Sequence, residues 1–99
     1  MKEIPLRPKA NQTLTCILNS QLCRIKVYQK STGLFFDLYR NDEPIVTARI
    51  CRDRVRLIHS DYHGFSGDIV FVDTIGRNDP EYTELGSRYL LAYMEPSEI

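Results

Sequence analysis

The run Leu22-Cys23-Arg24-Ile25-Lys26-Val27-Tyr28-Gln29-Lys30 decides the fold. Cys23, Ile25 and Val27 alternate with Arg24, Lys26, Tyr28 and Lys30, and a period of two sends the first set to one face and the second to the other. This is the pattern of an antiparallel strand covered on one side. Upstream, Thr13-Leu14-Thr15-Cys16-Ile17-Leu18 alternates around β-branched residues, and Asn19-Ser20-Gln21 supplies a turn. Downstream, Ser31-Thr32-Gly33 is a tight connection, with Gly33 available for positive φ. Leu34, Phe36 and Leu38 then point one way, and Phe35, Asp37 and Tyr39 the other.

Asn41-Asp42-Glu43-Pro44 reads as a turn cluster, and Val46, Ala48 and Ile50 as the next inward face. A further extended piece contains Val55 and Leu57, and strands follow over 69–73 and 88–94. No segment sustains apolar residues at helical spacing, and Pro96 discourages a long terminal helix. The expected fold is all-β: a single small antiparallel β-barrel or β-sandwich of six to seven strands.

At 99 residues the chain is expected to form one domain. Residues 1–12 read as an arm that orders against a neighbour or frays, 13–94 as the β core with a long 74–86 loop, and 95–99 as a tail. Thirteen basic side chains balance thirteen acidic ones, which argues against indiscriminate binding to nucleic acid or anionic membrane and makes self-association easy. No apolar run approaches the roughly 18 residues of a membrane span. Met1-Lys2-Glu3-Ile4-Pro5-Leu6-Arg7-Pro8 has no apolar signal core, so a cytoplasmic site of synthesis and assembly is expected. Cys16, Cys23 and Cys51 sit in apolar strand-like runs at no metal-ligand spacing and are expected as buried thiols. A Cys16–Cys23 disulfide across a hairpin is the alternative, unfavoured in a reducing compartment.

The outward faces carry large aromatics. Tyr28, Phe35 and Tyr39 oppose the inferred core, and Tyr89, Leu91 and Tyr93 oppose Leu90, Ala92 and Met94, leaving the last strand apolar on both sides. Such surface suggests contact with a partner, or else a second layer that covers it. Arg52, Arg54 and Arg56 would project to one side of an extended chain while Val55 and Leu57 turn inward. They suit pairing with internal carboxylates, with an acidic partner, or with nucleic acid, although no aromatic interleaves them as a stacking platform requires.

Catalytic chemistry is weakly signalled. His59 and His63 with Asp61 and Cys51 could be forced into a metal site, but a four-residue spacing joins two histidines only on a helix, and Gly64 argues for a loop. Cys51 with His59 lacks any sign of an oxyanion hole or a depressed thiol pKa. Asp68 and Asp73 at the ends of one strand stand roughly 16 Å apart, too far for shared acid–base work. No phosphate loop or nucleotide fingerprint occurs. No catalytic residue, metal or cofactor is expected.

An ordered set of short motifs spans most of the chain: Tyr28-Gln29-Lys30-Ser31-Thr32-Gly33-Leu34, Asp37-Leu38, Cys51-Arg52-Asp53-Arg54-Val55-Arg56-Leu57 and Gly64-Phe65-Ser66-Gly67-Asp68. Val72-Asp73-Thr74, Gly76, Asp79-Pro80-Glu81-Tyr82 and Leu85-Gly86-Ser87-Arg88-Tyr89 complete it. In order and spacing it resembles the baseplate plug protein family of contractile-tailed bacteriophages. Glu84 departs from the family, standing where a glycine commonly precedes the Leu-Gly pair, so it need not adopt positive φ.

The resemblance implies a structural virion protein near the tail axis, where tube, hub and baseplate meet, with several copies in a threefold or sixfold ring and no enzymatic activity. Hub, tail tube, wedge or tape-measure proteins are the implied partners, in a virion assembled in the host bacterial cytoplasm. Gly33, Gly64, Gly67 and Gly86 are then expected to shape turns, and Asp73 and Arg88 to brace the loop around Pro80. Tyr28, Phe35, Tyr39, Tyr82 and Tyr93 are candidate interface anchors, and Arg52, Arg54 and Arg56 candidate partners of an acidic neighbour. The rival reading from another class is a small β-barrel that binds single-stranded nucleic acid through the Arg52/Arg54/Arg56 strip. A thiol enzyme or hydrolase using Cys51, His59 and His63 is a third.

Overall fold

The computed structural model describes residues 2–58 and 65–98. Asn19 and Ser20 take φ of 50° and 63°, and Asn41 and Asp42 take 50° and 67°. Paired positive φ angles make the mirror-image turns whose twist suits a two-residue hairpin. Together with Gly33 these turns fold β2 (Asn11–Leu18), β3 (Gln21–Lys30), β4 (Gly33–Arg40) and β5 (Glu43–Ile50) into an antiparallel meander of order β2-β3-β4-β5. A second sheet has the order β1-β7-β6, with β1 at Lys2–Ile4, β6 at Asp68–Asp73 and β7 at Tyr89–Met94.

The two sheets form an all-β sandwich and do not close into a barrel. Cys23, Ile25, Val27, Leu34, Phe36 and Leu38 line one inner face, and Ile4, Ile69, Phe71, Tyr89, Leu91 and Tyr93 line the other. Among the described residues the helical elements are short 3-10 turns at Tyr82–Glu84 and Pro96–Glu98.

Several expectations change. Lys2–Ile4 do not reach out to a neighbour: they pair with Tyr93, Ala92 and Leu91 of the same chain, and Ile4 and Leu6 are core residues. In β5 the register slips between Phe36 and Tyr39 of its partner strand, and Ala48 adopts φ 51°. Ile45 is therefore the buried residue, while Ala48 is exposed and Val46 and Ile50 are half-buried. The piece around Val55 is not a strand. Arg54 takes φ 59°, isolated bridges join Asp53 to Phe71 and Arg56 to Val70, and Val55 turns outward while Leu57 goes in. His59, Asp61, His63 and Gly64 lie outside the described residues.

The long loop is pinned along its length. The Thr74 amide and hydroxyl both donate to the Arg88 carbonyl, at 2.9 and 2.8 Å. The Asp73 carboxylate accepts from the backbone amides of Ile75, Gly76 and Asn78 at 2.9, 3.1 and 2.8 Å. Further along, the Asp53 amide donates to Asp79 at 3.1 Å, the Tyr82 amide donates to the Gln29 side chain at 3.2 Å, and Pro80 and Leu85 are buried. Glu84 sits in the 3-10 turn rather than at positive φ, so the loop does without a glycine there.

Candidate interaction surface

The alternation that buries Ile25, Val27, Leu34, Phe36 and Leu38 drives their neighbours to the opposite side of the four-stranded sheet. Register then sets them against each other. Tyr28 pairs with Phe35, Lys26 with Asp37, and Arg24 with Tyr39. The Tyr28 and Phe35 rings stack with centroids 6.0 Å apart, and the Lys30 ammonium lies 5.5 Å from the first and 5.3 Å from the second. The Arg24 guanidinium sits 4.7 Å above the Tyr39 ring, and the Lys26 ammonium lies 5.9 Å from it. Each such cation–aromatic contact contributes about 0.5–1 kcal/mol where water reaches it.

Asp37 holds this layer in place. Its Oδ1 accepts the Tyr28 hydroxyl at 2.9 Å and the Ala48 amide at 2.7 Å, tying the aromatic pair to the irregular stretch of β5. Burial, together with the Asp37 carboxylate, pushes the Tyr28 phenol up to about 12. Tyr28 is thus a neutral donor at any physiological pH. The outcome is a half-buried aromatic platform capped by cations, well matched to aromatic and acidic side chains of a protein partner.

The remaining candidates lie elsewhere. Tyr93 is not a surface anchor. It is 2% exposed, meets Phe65 edge-to-face at 6.3 Å, and donates its hydroxyl to the Ser66 carbonyl at 2.6 Å. The Tyr89-Leu91-Tyr93 side of the last strand is therefore core. Tyr82 is exposed on the long loop, where its amide is held by the side chain of Gln29.

The three arginines do not form an open strip. The turn at Arg54 separates them, and each meets a carboxylate of this chain: Arg52 with Asp79 at 3.5 Å, Arg54 with Asp53 at 2.6 Å and Arg56 with Asp68 at 3.7 Å. Arg54 also donates to the carbonyls of Gly76 and Asp73. These internal contacts engage part of each guanidinium, and the three side chains remain partly exposed. Asp68, buried at the start of β6, accepts the amides of Ile58 and Ile69 at 2.9 and 2.7 Å.

Gly67 takes φ 96°, and a Cβ there would meet the Met94 carbonyl and the Tyr93 ring, so only glycine lets this loop approach the last strand. The cysteines are free thiols, with Cys16 opposite Cys23 across the first hairpin. Burial pushes the Cys23 thiol up to about 11 and the Cys51 thiol higher still, so neither offers a thiolate near neutral pH. Among the described residues no cluster of three His, Cys, Asp or Glu could hold a metal ion.

Sequence reasoning placed the aromatics but did not single out Arg24, Lys26 and Lys30 as their caps, or Asp37 as their anchor. The signal was present in the cross-strand order, which follows once the Ser31-Thr32-Gly33 turn fixes the register. The same reasoning named the Leu90, Ala92 and Met94 side of the last strand as apolar but took the opposite side as outward; Ala92 and Met94 cluster with Val70 and Val72 on the outer face of the three-stranded sheet. A shallow hollow of ≈ 250 Å³ lies there between Glu3, Val72, Leu90 and Ala92.

None of the curated proteins compared matches this chain. Residues 1–96 match the protein-family model described as Cyanophage baseplate Pam3 plug gp18. The match runs from β1 through β7, and the chain therefore belongs to this family of bacteriophage baseplate structural proteins, components of the virion tail that assemble with other baseplate proteins.

Proposed function

We propose that this protein is a non-catalytic plug near the tail axis, between tube, hub and baseplate, assembled in the host bacterial cytoplasm as a threefold or sixfold ring. The observation that carries the reading is the platform of Tyr28, Phe35 and Tyr39 under Arg24, Lys26 and Lys30. Aromatic and arginine side chains dominate the energetics of protein interfaces, and half-buried rings lose little entropy on docking. Head-to-tail contacts between copies close into a ring when the rotation fits, leaving a second face of each copy for a different protein.

The decisive experiment replaces Phe35 by Ser and measures incorporation into purified virions by quantitative mass spectrometry. Incorporation should fall at least tenfold, equivalent to about 1.4 kcal/mol of docking free energy, while the isolated variant keeps its strand circular-dichroism spectrum. Normal incorporation would refute the platform as the docking surface. Loss of the folded protein would assign Phe35 to the core.

A further inference from the structure

The two edges of the four-stranded sheet differ in kind. At one, β5 carries Pro44, a register slip and the positive φ of Ala48. Proline and bulges are ordinary means of preventing an edge from pairing with another chain. At the other, β2 runs for 8 residues, Asn11 to Leu18, in unbroken register with β3 and with no charge or proline of its own. The Gln29 amide donates to the Ala10 carbonyl, which fixes the alternation of the ladder. Gln12, Leu14 and Cys16 therefore turn their backbone groups to β3, and those of Asn11, Thr13, Thr15 and Ile17 face outward. Among the described residues no other strand pairs with these outward groups.

Charge is distributed unevenly around this edge. The chain as a whole is neutral, yet from Ile4 to Phe36 it carries Arg7, Lys9, Arg24, Lys26 and Lys30 and no acid. Arg7 and Lys9, with Pro5, wall a groove of ≈ 410 Å³ that runs along Asn11, Thr13 and Leu14. The Gln12 side chain holds that wall in place, accepting the Arg7 amide at 3.1 Å and donating to the Arg7 carbonyl at 2.6 Å. Further along the strand, burial pushes the Cys16 thiol up, and the nearby Lys2 ammonium opposes the shift. Arg52, Arg54, Arg56 and Arg88 each meet a carboxylate of this chain, whereas among the described residues Lys2, Arg7 and Lys9 form no ion pair.

We propose that the β2 edge receives an extended acidic segment of another protein as an added strand of this sheet. Added strands take affinity from main-chain hydrogen bonds and specificity from alternate side chains. The outward groups of Asn11, Thr13, Thr15 and Ile17 supply the first. For the second, Leu14 and Cys16 are half-buried and bring the core layer to the open edge, where apolar side chains of the incoming strand cover them. Acidic side chains alternating with these answer Arg7 and Lys9 along the groove, and such complementarity speeds encounter and suppresses wrong partners. The same cations repel a second copy of this chain, whose own edge is equally basic. Nucleic acid has the right sign but no backbone donors and acceptors at the spacing of a strand ladder. The contact lies on an edge rather than on the Tyr28–Phe35 face, and it does not depend on the proposed ring.

Amide exchange of the purified, isotope-labelled full chain tests this. The probe is a short peptide in which glutamate alternates with valine. In excess it should slow exchange at Asn11, Thr13, Thr15 and Ile17 by roughly tenfold or more, an effect that weakens with added salt. Replacing the peptide's glutamates by lysine, or placing proline at its centre, should abolish the slowing. Arg7→Glu with Lys9→Glu should weaken peptide binding by roughly tenfold or more; should that double variant fail to fold, the peptide variants decide. No slowing at those amides, or equal slowing by the lysine peptide, overturns the proposal. So does a single-stranded oligonucleotide that protects the same amides in the peptide's place, which would assign the edge to nucleic acid. Protection that rises with protein concentration alone overturns it too, in favour of a second copy. None of these results touches the aromatic platform, whose own test is the incorporation of Phe35→Ser.

Discussion

Arg88 grips the Asp73 carboxylate with two parallel hydrogen bonds, Nε donating to Oδ1 and Nη2 to Oδ2, each 2.9 Å long. The pair closes the base of the long loop, because Asp73 ends β6, Arg88 immediately precedes β7, and the same carboxylate also receives three backbone amides of the loop. A planar guanidinium fork is matched to a carboxylate in a way that an ammonium is not. The Asp73 side chain is fully buried and that of Arg88 is 19% exposed, so water cannot replace either partner.

Removing the charge without the shape isolates this pair. Among the described residues, Asp73→Asn leaves Arg88 with Glu84, 3.5 Å away and half-exposed, as its acidic neighbour. A partly buried cation stripped of its partner is strongly destabilising. The melting temperature should fall by roughly 10 °C, and the 74–86 loop should become the first site of proteolysis. Calorimetry and limited trypsinolysis check both.

The same carboxylate governs the acid limb of stability. The Arg88 guanidinium, helped by the loop amides, holds the Asp73 carboxyl well below the usual carboxylate range. A depressed pKa in the folded state gives stabilisation that is complete above the unfolded value of about 4 and is lost as pH falls below it. Urea midpoints should be nearly level between neutral pH and about pH 5, then drop. In Asp73→Asn the drop should be shallower.

Gly86 takes φ 84°, and a Cβ there would collide with the Leu6 carbonyl. The chain segment leading from β1 therefore rests against the end of the long loop. Gly86→Ala should cost about 2–3 kcal/mol through backbone strain and lost approach. Amide exchange should quicken around Leu6 as well as around the loop.

Two tyrosines separate core from platform. Tyr93→Ala empties a packed site under Phe65 and removes a buried hydroxyl donor, and should cost about 3–5 kcal/mol. Tyr39→Ala, on the outer face beneath Arg24, should cost about 1 kcal/mol or less. Denaturant unfolding of both variants measures the difference, and equal losses would remove the distinction between interior and docking face.

The alternation in 22–30 and 34–39 made the meander legible, since one buried face imposes a period of two that no other element shares. The Asp73–Arg88 brace was expected from the family resemblance, whose motifs contain both residues, and the two meet at the base of the loop. Other features were hidden for physical reasons. β7 is apolar on both sides, so its pattern cannot say whether Tyr93 or Leu90 faces the core; only packing against Phe65 decides. β1 is too short for a periodicity, and its pairing rests on contacts with residues about ninety positions away. The slip in β5 follows from Asp37 binding the Ala48 amide, a tertiary bond with no local signature. Arg52, Arg54 and Arg56 looked like one face because the chain was taken as extended, and the positive φ at Arg54 separates them.

A density map of the intact tail baseplate tests the central claim most directly. It should contain this two-sheet sandwich near the tail axis, with the Tyr28, Phe35 and Tyr39 face covered by a neighbouring protein. A map in which that face is bare to solvent, or in which the sandwich is absent from the baseplate, would contradict it.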